Sequence, residues 1–238
     1  MNYFISTKTG DREINEDSVW AGINEDSGLF ALADGLGGHG RGEVASAMLT
    51  ETAAELYREK GPADSLIADI LEEAQKRILD RQIRENAQRE MKTTAVILLI
   101  KKDVIQWGHI GDSRLYFFKK NKLIKRTLDH SVPQMLVNAG DIKESKIRNH
   151  PDRNRLLKVM GMEWDKPAYV IGEPIPREGG EAFLLCSDGF WENVLEKEML
   201  KLLKKSKEAA DWIAAMDPIV QKRGKGKMDN NSAIAVLL

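Results

Sequence analysis

The stretch Leu29-Phe-Ala-Leu-Ala-Asp34-Gly-Leu-Gly-Gly-His39-Gly-Arg-Gly-Glu43 constrains the fold more than any other part of the chain. Its opening apolar residues, 29 to 33, are bounded by turn formers, which predicts a buried strand because a helix would need a longer pattern. Asp34 therefore stands at a strand end. Glycines at 35, 37, 38, 40 and 42 let the backbone approach a ligand or ion that side chains would hold off, and a helix opens near Glu43. Taken alone, Asp-Gly is a hairpin turn signal. Gly35-x-Gly37-x-x-Gly40 also matches the spacing of a dinucleotide-binding loop. Chemistry argues against that second reading, since Asp34 would face an incoming pyrophosphate and the region about 20 residues further on reads as helix. A Walker loop fails because no Gly-Lys-Ser/Thr follows.

The 238 residues suffice for one sizeable core, and one domain over 1–238 is expected. With 36 basic and 37 acidic residues the net charge is −1, so no overall sign would recruit nucleic acid or an anionic membrane. Cys186 is the lone cysteine and forms no internal disulfide, which suits a reducing compartment. The N-terminus lacks the basic and apolar segments of a signal peptide, and the longest apolar run, Ala95 to Ile100, is far short of a membrane span. A cytoplasmic protein is the expectation.

Short strands are predicted at 2–7, 18–22 and 29–33. A helix over 43–59 presents Ala45, Met48, Leu49, Thr52 and Leu56 on one face. Gly61-Pro62 ends it and starts a second helix carrying Ile67, Ile70, Leu71, Ala74 and Ile78, antiparallel to the first. The period then becomes extended over 93–100, 104–110, 113–119 and 122–126, which predicts an antiparallel meander with Gly111 opening a tight hairpin. The polar segment 129–166 reads as a subdomain laid over the sheet. Strands at 168–173 and 182–186, helices at 197–204 and 207–220, and a strand at 232–238 complete the chain. Strands in two groups with helices segregated between them predict an α+β fold, a β-sandwich of two antiparallel sheets flanked by helix pairs.

The acid-at-strand-end pattern recurs. Phe183-Leu-Leu-Cys-Ser-Asp188-Gly189 repeats it, Asp229-Asn230 precedes the last strand, and Asp112 follows another strand. Each alone is an ordinary turn residue. Converging on one sheet edge, such carboxylates would repel one another unless protonated or bound to cations. Oxygen donors without a Cys/His set point to Mg²⁺ or Mn²⁺ over zinc, with Asp34 able to bridge two ions. Two ions, typically about 3.5 to 4 Å apart, would acidify a shared water for in-line attack on phosphorus. Arg12 reads either as a surface ion-pair partner or as a planar fork for a phosphate. His39 is a candidate proton donor to a leaving alkoxide or a structural loop histidine. Lys222-Arg-Gly-Lys-Gly-Lys227 reads as a solvated loop.

Gly10-Asp-Arg12-Glu-Ile-Asn15-Glu16-Asp17, Ala33-Asp34-Gly35-Leu-Gly-Gly-His39 with Gly42-Glu43-Val-Ala-Ser46, Thr93-Thr94, Gly108-His-Ile-Gly111-Asp112-Ser-Arg114, Asp129-His130-Ser131, Ser187-Asp188-Gly189 and Asp229-Asn230, in that order, resemble the metal-dependent protein phosphatase 2C (PPM) family in its compact bacterial form. The resemblance implies a sandwich with metals in a channel at one end and hydrolysis of phosphoserine and phosphothreonine on proteins, without a phosphoenzyme. By motif it implies that Asp34 bridges both metals and that Gly35 lends its carbonyl. Asp188 and Asp229 would complete one shell, with Glu16 and Asp17 acting through water. Arg12 would take the substrate phosphate, Asp112 with Asp188 a third ion, and 129–166 would be the family's flap. Many eukaryotic members have histidine where this chain has Leu36, and Lys92 stands where a glycine is frequent. Phosphorylated protein substrates, an opposing serine/threonine kinase and a monomer are the implied partners and state. A pseudophosphatase that binds a phosphoprotein, or a hydrolase of small phosphate esters, are the alternatives; retention of Asp34, Asp188 and Asp229 argues against the first.

Overall fold

The computed structural model describes residues 1–36, 40–87 and 90–238. Among them the order of elements is β1 (Asn2–Lys8), β2 (Asp17–Ile23), β3 (Gly28–Asp34), α1 (Gly42–Lys60), α2 (Leu66–Arg84), β4 (Ala95–Ile100), β5 (Val104–Ile110), β6 (Arg114–Lys119), β7 (Lys122–Arg126) and α3 (Val132–Ala139). There follow β8 (Val170–Ile171), β9 (Ile175–Pro176), β10 (Glu181–Cys186), α4 (Asp188–Trp191), α5 (Glu196–Leu203), α6 (Ala209–Gly224) and β11 (Asn231–Leu237). Two antiparallel sheets form, one ordered β1-β11-β10-β6-β7 and the other β2-β3-β4-β5-β8, with β9 also on β5.

Antiparallel strands commonly alternate polar and apolar residues because one face is wet. Here β3, β4 and β10 are apolar almost throughout, and both faces are covered. Phe30, Leu32, Val96 and Leu98 of one sheet meet Leu115, Phe117, Phe183, Leu185 and Ile234 of the other inside the sandwich. Leu29, Ala31, Ile97 and Leu99 point outward onto Leu49, Ile67, Ile70 and Ala74 of the α1–α2 pair. Tyr116, Phe118, Leu184 and Ala235 point outward onto Trp212, Ile213 and Met216 of α6 and Met199 of α5. Each such fully buried aliphatic side chain contributes roughly 1.5–3 kcal/mol over leaving it exposed. The α1–α2 pair is antiparallel, as Lys60–Asp69 at 2.7 Å and Arg77–Glu55 at 2.6 Å require.

Three local expectations are corrected. The second helix starts at Leu66 and not at Pro62, because Gly61 takes φ 62° and the Ala63 amide donates back to the Gly61 carbonyl, leaving Ser65 to cap the helix. The four-strand meander does not form: β4 pairs with β5 and β6 with β7, but Gly111–Ser113 carries the chain from one sheet to the other. Gly111, at φ 98°, turns that corner instead of closing a hairpin, with Thr94 packed where a Cβ would stand. The strand expected at 168–173 shortens to β8, and a second two-residue piece, β9, follows Pro174; with prolines at 174 and 176 this edge pairs with β5 only in short pieces.

The segment after β7 is fastened at both ends. His130 donates its amide to the Gly111 carbonyl (2.8 Å), Thr93 and Met160 exchange backbone bonds, and Gln75 and Gln82 of α2 hold Gly161. Beneath it Arg114 makes a bidentate pair with Asp129, at 2.8 and 2.6 Å, and its guanidinium lies 3.4 Å from the Trp191 ring centre.

Candidate metal centre and active site

Strand registry decides where the acids go. Asp17 lies opposite Asp34 at the open end of β2–β3, and Lys8 opposite Asn231 marks the same end of the other sheet. Side chains alternate along a strand. Asp34 thus shares the inward face of Phe30 and Leu32, and Asp17 that of Val19 and Ala21. The same parity brings Thr94, Ser113, Ser187 and Ser232 to the inner end. There the sandwich interior turns from apolar to polar.

These hydroxyls fix the acids. Ser187 Oγ donates to Asp17 Oδ2 at 2.8 Å, and the Asp34 amide donates to Thr94 Oγ1 at 3.0 Å. The Asp34 carbonyl accepts from the Thr94 amide and Thr93 Oγ1, both at 2.9 Å. Among the described residues no donor reaches the Asp34 carboxylate, and buried Asp17 Oδ1 has no hydrogen-bond partner. Asp188 opens α4 directly after β10, and Asp112 occupies the corner between the sheets, its carbonyl bonded by Trp191 Nε1 at 3.0 Å.

Asn230 organises the loop before β2, a role sequence reasoning did not assign. Its Nδ2 donates to the carbonyls of Thr9 (2.8 Å) and Ile14 (2.9 Å), and its Oδ1 accepts the Glu16 amide at 2.8 Å. Arg12 is thereby carried over the cleft, where Nη2 meets Asp229 Oδ2 at 2.8 Å. Gly35 is dictated by crossing backbone: a Cβ there would lie 2.3 Å from the Gly42 carbonyl oxygen and 2.7 Å from that of Glu16.

Arg12, Glu16, Asp34, Gly35, Asp112, Asp188 and Asp229 line one cleft of about 300 Å³, which Leu36, Lys92, Asn154, Leu156, Val159, Met162 and Asn230 complete. Asp17 lies just behind it. Of the expected site residues, only His39 falls outside the described residues. The wall from Asn154 to Met162 belongs to the segment over the sheet; it lacks any periodic pattern that would have marked it in the sequence.

Burial, then the charges of Asp17, Asp188, Asp112 and Asp229, hold the Asp34 carboxyl well above the ordinary carboxylate range. Burial and then Asp188 do the same to Asp112. Burial pushes Asp17 up to about 6, and burial with Glu192 pushes Asp188 up to about 7. Glu16 is raised by burial and by Glu43. Among the described cations Arg12 draws Glu16 down and Arg114 draws Asp112 down, yet both acids stay raised, so positive charge is too scarce for so many carboxylates to ionise together.

Among the described residues no three carboxylate, imidazole or thiolate groups are already closed around one point. The acids line the cleft instead. That donor set, hard oxygens with room between them, fits cations that keep several waters and take one or two carboxylates each, as Mg²⁺ does. The unpartnered Asp17 oxygen and the free Asp34 carboxylate fit the same ions.

A protein-family model described as protein phosphatase 2C matches residues 8–231. The chain is 30% identical over 236 residues to the serine/threonine phosphatase stp of Listeria welshimeri, spanning 94% of this chain and 90% of the relative. The crystal structure of the Mycobacterium tuberculosis serine/threonine phosphatase PstP/Ppp superposes with a TM-score of 0.85 at 30% identity, covering 99% of this chain and 97% of that one. The PstP catalytic domain solved in complex with two manganese ions gives 0.81 at 29% identity, over 98% and 96%.

Proposed function

Because this chain belongs to the protein phosphatase 2C family, we propose that the acid cleft is where it acts, as a metal-dependent protein serine/threonine phosphatase. The observation that carries the assignment is the Asp34 carboxylate, free of hydrogen-bond donors among the described residues, lining the cleft with Asp112, Asp188 and Asp229, and raised by burial and then by its aspartate neighbours. Asp34, the Gly35 carbonyl, Asp188 and Asp229 would hold two Mn²⁺ or Mg²⁺ ions, with Glu16 and Asp17 reached through water. Asp112 with Asp188 would hold a third. When bound, such ions supply an acidified water as nucleophile and neutralise charge on the phosphoryl group.

The protein's own groups do the rest. Arg12 spends one of its five N–H donors on Asp229, leaving others for the phosphoryl oxygens of the substrate. Asn230 fixes where that fork stands. Thr93 and Thr94 hold the Asp34 backbone, and Ser187 orients Asp17. His39 is assigned protonation of the leaving serine or threonine oxygen on chemical type. The segment 129–166 would serve as a flap, because Asn154 to Met162 wall the cleft. Phosphoproteins are the substrates, an opposing kinase and a monomeric cytoplasmic enzyme the setting we favour. No described helix is long and apolar enough to cross a membrane.

Phosphate release from a phosphothreonine peptide is the test, with Mn²⁺, with Mg²⁺, with excess chelator, and for Asp34→Asn. Release should require the cation and fall to background in the folded variant. Near-normal turnover by Asp34→Asn would overturn the assignment.

A further inference from the structure

A second groove adjoins the cleft, and its basic residues are not used by the chemistry above. It is lined by Arg153, Asn154, Asp188, Glu192, Arg223, Lys225 and Lys227, and it shares Asn154, Asp188 and Asp229 with the cleft. Its charges are unequal in availability. Arg153 is taken by Glu192 at 3.0 Å and Arg223 by Glu198 through both nitrogens, at 2.6 and 2.7 Å. Asp229 pairs with Arg12 at 2.8 Å, and both Asp188 and Asp229 would hold the cations. Lys225 and Lys227 are exposed, and among the described residues neither pairs with a carboxylate.

The loop bearing these lysines is locked to the loop bearing Arg12. The Asp11 amide donates to the Met228 carbonyl at 2.8 Å, and the Met228 amide returns to Asp11 Oδ2 at 2.9 Å. Gly10, at φ 67°, packs onto the Asp229 carbonyl so closely that no Cβ fits. The two lysines therefore hold a fixed register with the fork that receives the phosphate. Elsewhere the cleft lining is Leu36, Leu156, Val159 and Met162 with one cation, Lys92.

We infer that the Lys225–Lys227 groove binds acidic side chains of the substrate protein within a few residues of its phosphorylated serine or threonine. Carboxylates suit it better than a second phosphoryl group. Of the groove's two planar forks Arg223 spends both terminal nitrogens on Glu198 and Arg153 its Nε on Glu192, whereas an ammonium is a point charge that meets a single carboxylate without strict geometry. This inference rests on the phosphatase reading, and its test separates the two.

A set of phosphothreonine peptides of one length would carry glutamate or glutamine at each position from four before to four after the phosphoresidue. The wild type should favour particular glutamate peptides in kcat/KM by roughly three- to tenfold, as two screened charge contacts allow, and the preference should shrink as salt rises. Lys225→Gln/Lys227→Gln, changed only at exposed side chains, should lose the preference yet hydrolyse the glutamine peptide and a small aryl phosphate as the wild type does. Turnover without a glutamate preference, or a preference the double variant keeps, overturns the groove. A preference for a second phosphoserine over glutamate also overturns it. Peptide binding by fluorescence anisotropy covers the remaining case: a glutamate preference in binding without turnover supports the groove and overturns the phosphatase reading.

Discussion

Asn230 is the most economical place to break the site without touching an acid. It is 5% exposed and makes three hydrogen bonds to main-chain groups of the loop before β2, at 2.8, 2.9 and 2.8 Å. Each is worth about 1 kcal/mol net, so Asn230→Ala should cost at most about 3 kcal/mol, less what water recovers at Thr9 and Ile14. About 2 kcal/mol is expected, or roughly 4–8 °C in Tm for a chain of this size. Asn230→Asp should be worse at neutral pH. One oxygen still accepts the Glu16 amide, but the other then faces two carbonyls with no proton between them, beside an acid cluster that already resists ionisation. Because Arg12 rides on this loop, a displacement of about 1 Å should lower kcat/KM by about 10²-fold. The assays are thermal unfolding and steady-state kinetics on a phosphothreonine peptide. An Asn230→Asp protein with native Tm at pH 7 and kcat/KM within twofold would refute the reasoning, since the two carbonyl bonds would then not be what holds the loop.

Gly35→Ala should destabilise strongly and lose activity, because its Cβ would lie 2.3 Å from the Gly42 carbonyl oxygen; an unchanged urea midpoint would contradict this. Mn²⁺ at about a hundred times its Kd should raise stability by about 2.7 kcal/mol, seen as a rise in Tm that chelator reverses; no shift would mean the acids do not hold the ion. Glu198, hydrogen-bonded by Arg223 and by the Leu195 amide, is held down to about 2. A carboxyl lowered on folding stabilises above its unfolded value and stops doing so as pH falls through its folded one. With Arg223 41% exposed, the full shift is discounted to about 1 kcal/mol. Urea unfolding should therefore show wild type above Glu198→Gln by that amount at pH 7, with the gap closing between about pH 4.5 and 2; a gap that persists at pH 2 would exclude the mechanism.

The layer order was legible because period and run length report burial directly: β3, β4 and β10 are apolar on both faces, and the helices over them keep a 3.6-residue stripe. The pairing of β5 with β6 was misread for a physical reason. Gly111-Asp112 carries the same turn chemistry whether the chain doubles back in one sheet or steps to the facing one, and only partners distant in sequence, β10 for β6 and β8 for β5, decide between them. The acids were found by position at strand ends. Asn230 was in view as part of a motif, but its three partners lie more than 200 residues away, so nothing local named its role. The cleft wall from Asn154 to Met162 is irregular chain held by backbone bonds, a class of structure that leaves no period to read.

The misread corner is also what makes the site possible. If β5 and β6 had closed a hairpin, Asp112 would belong to the edge of one sheet, with Asp17 and Asp34, and β6 could not lie beside β10. By stepping across, the chain places Asp112 between the sheets, where burial and then Asp188 hold its carboxyl toward the neutral form and where it in turn raises Asp34. The parity that sends Leu32, Leu115 and Leu185 into the dry interior sends Asp34, Ser113 and Ser187, each two residues away along its strand, to the same face where the sandwich opens. Acids so placed are buried enough to resist ionisation and open enough to be met by hydrated cations. A solvent-facing set of the same residues would stay ionised in water with little need of them.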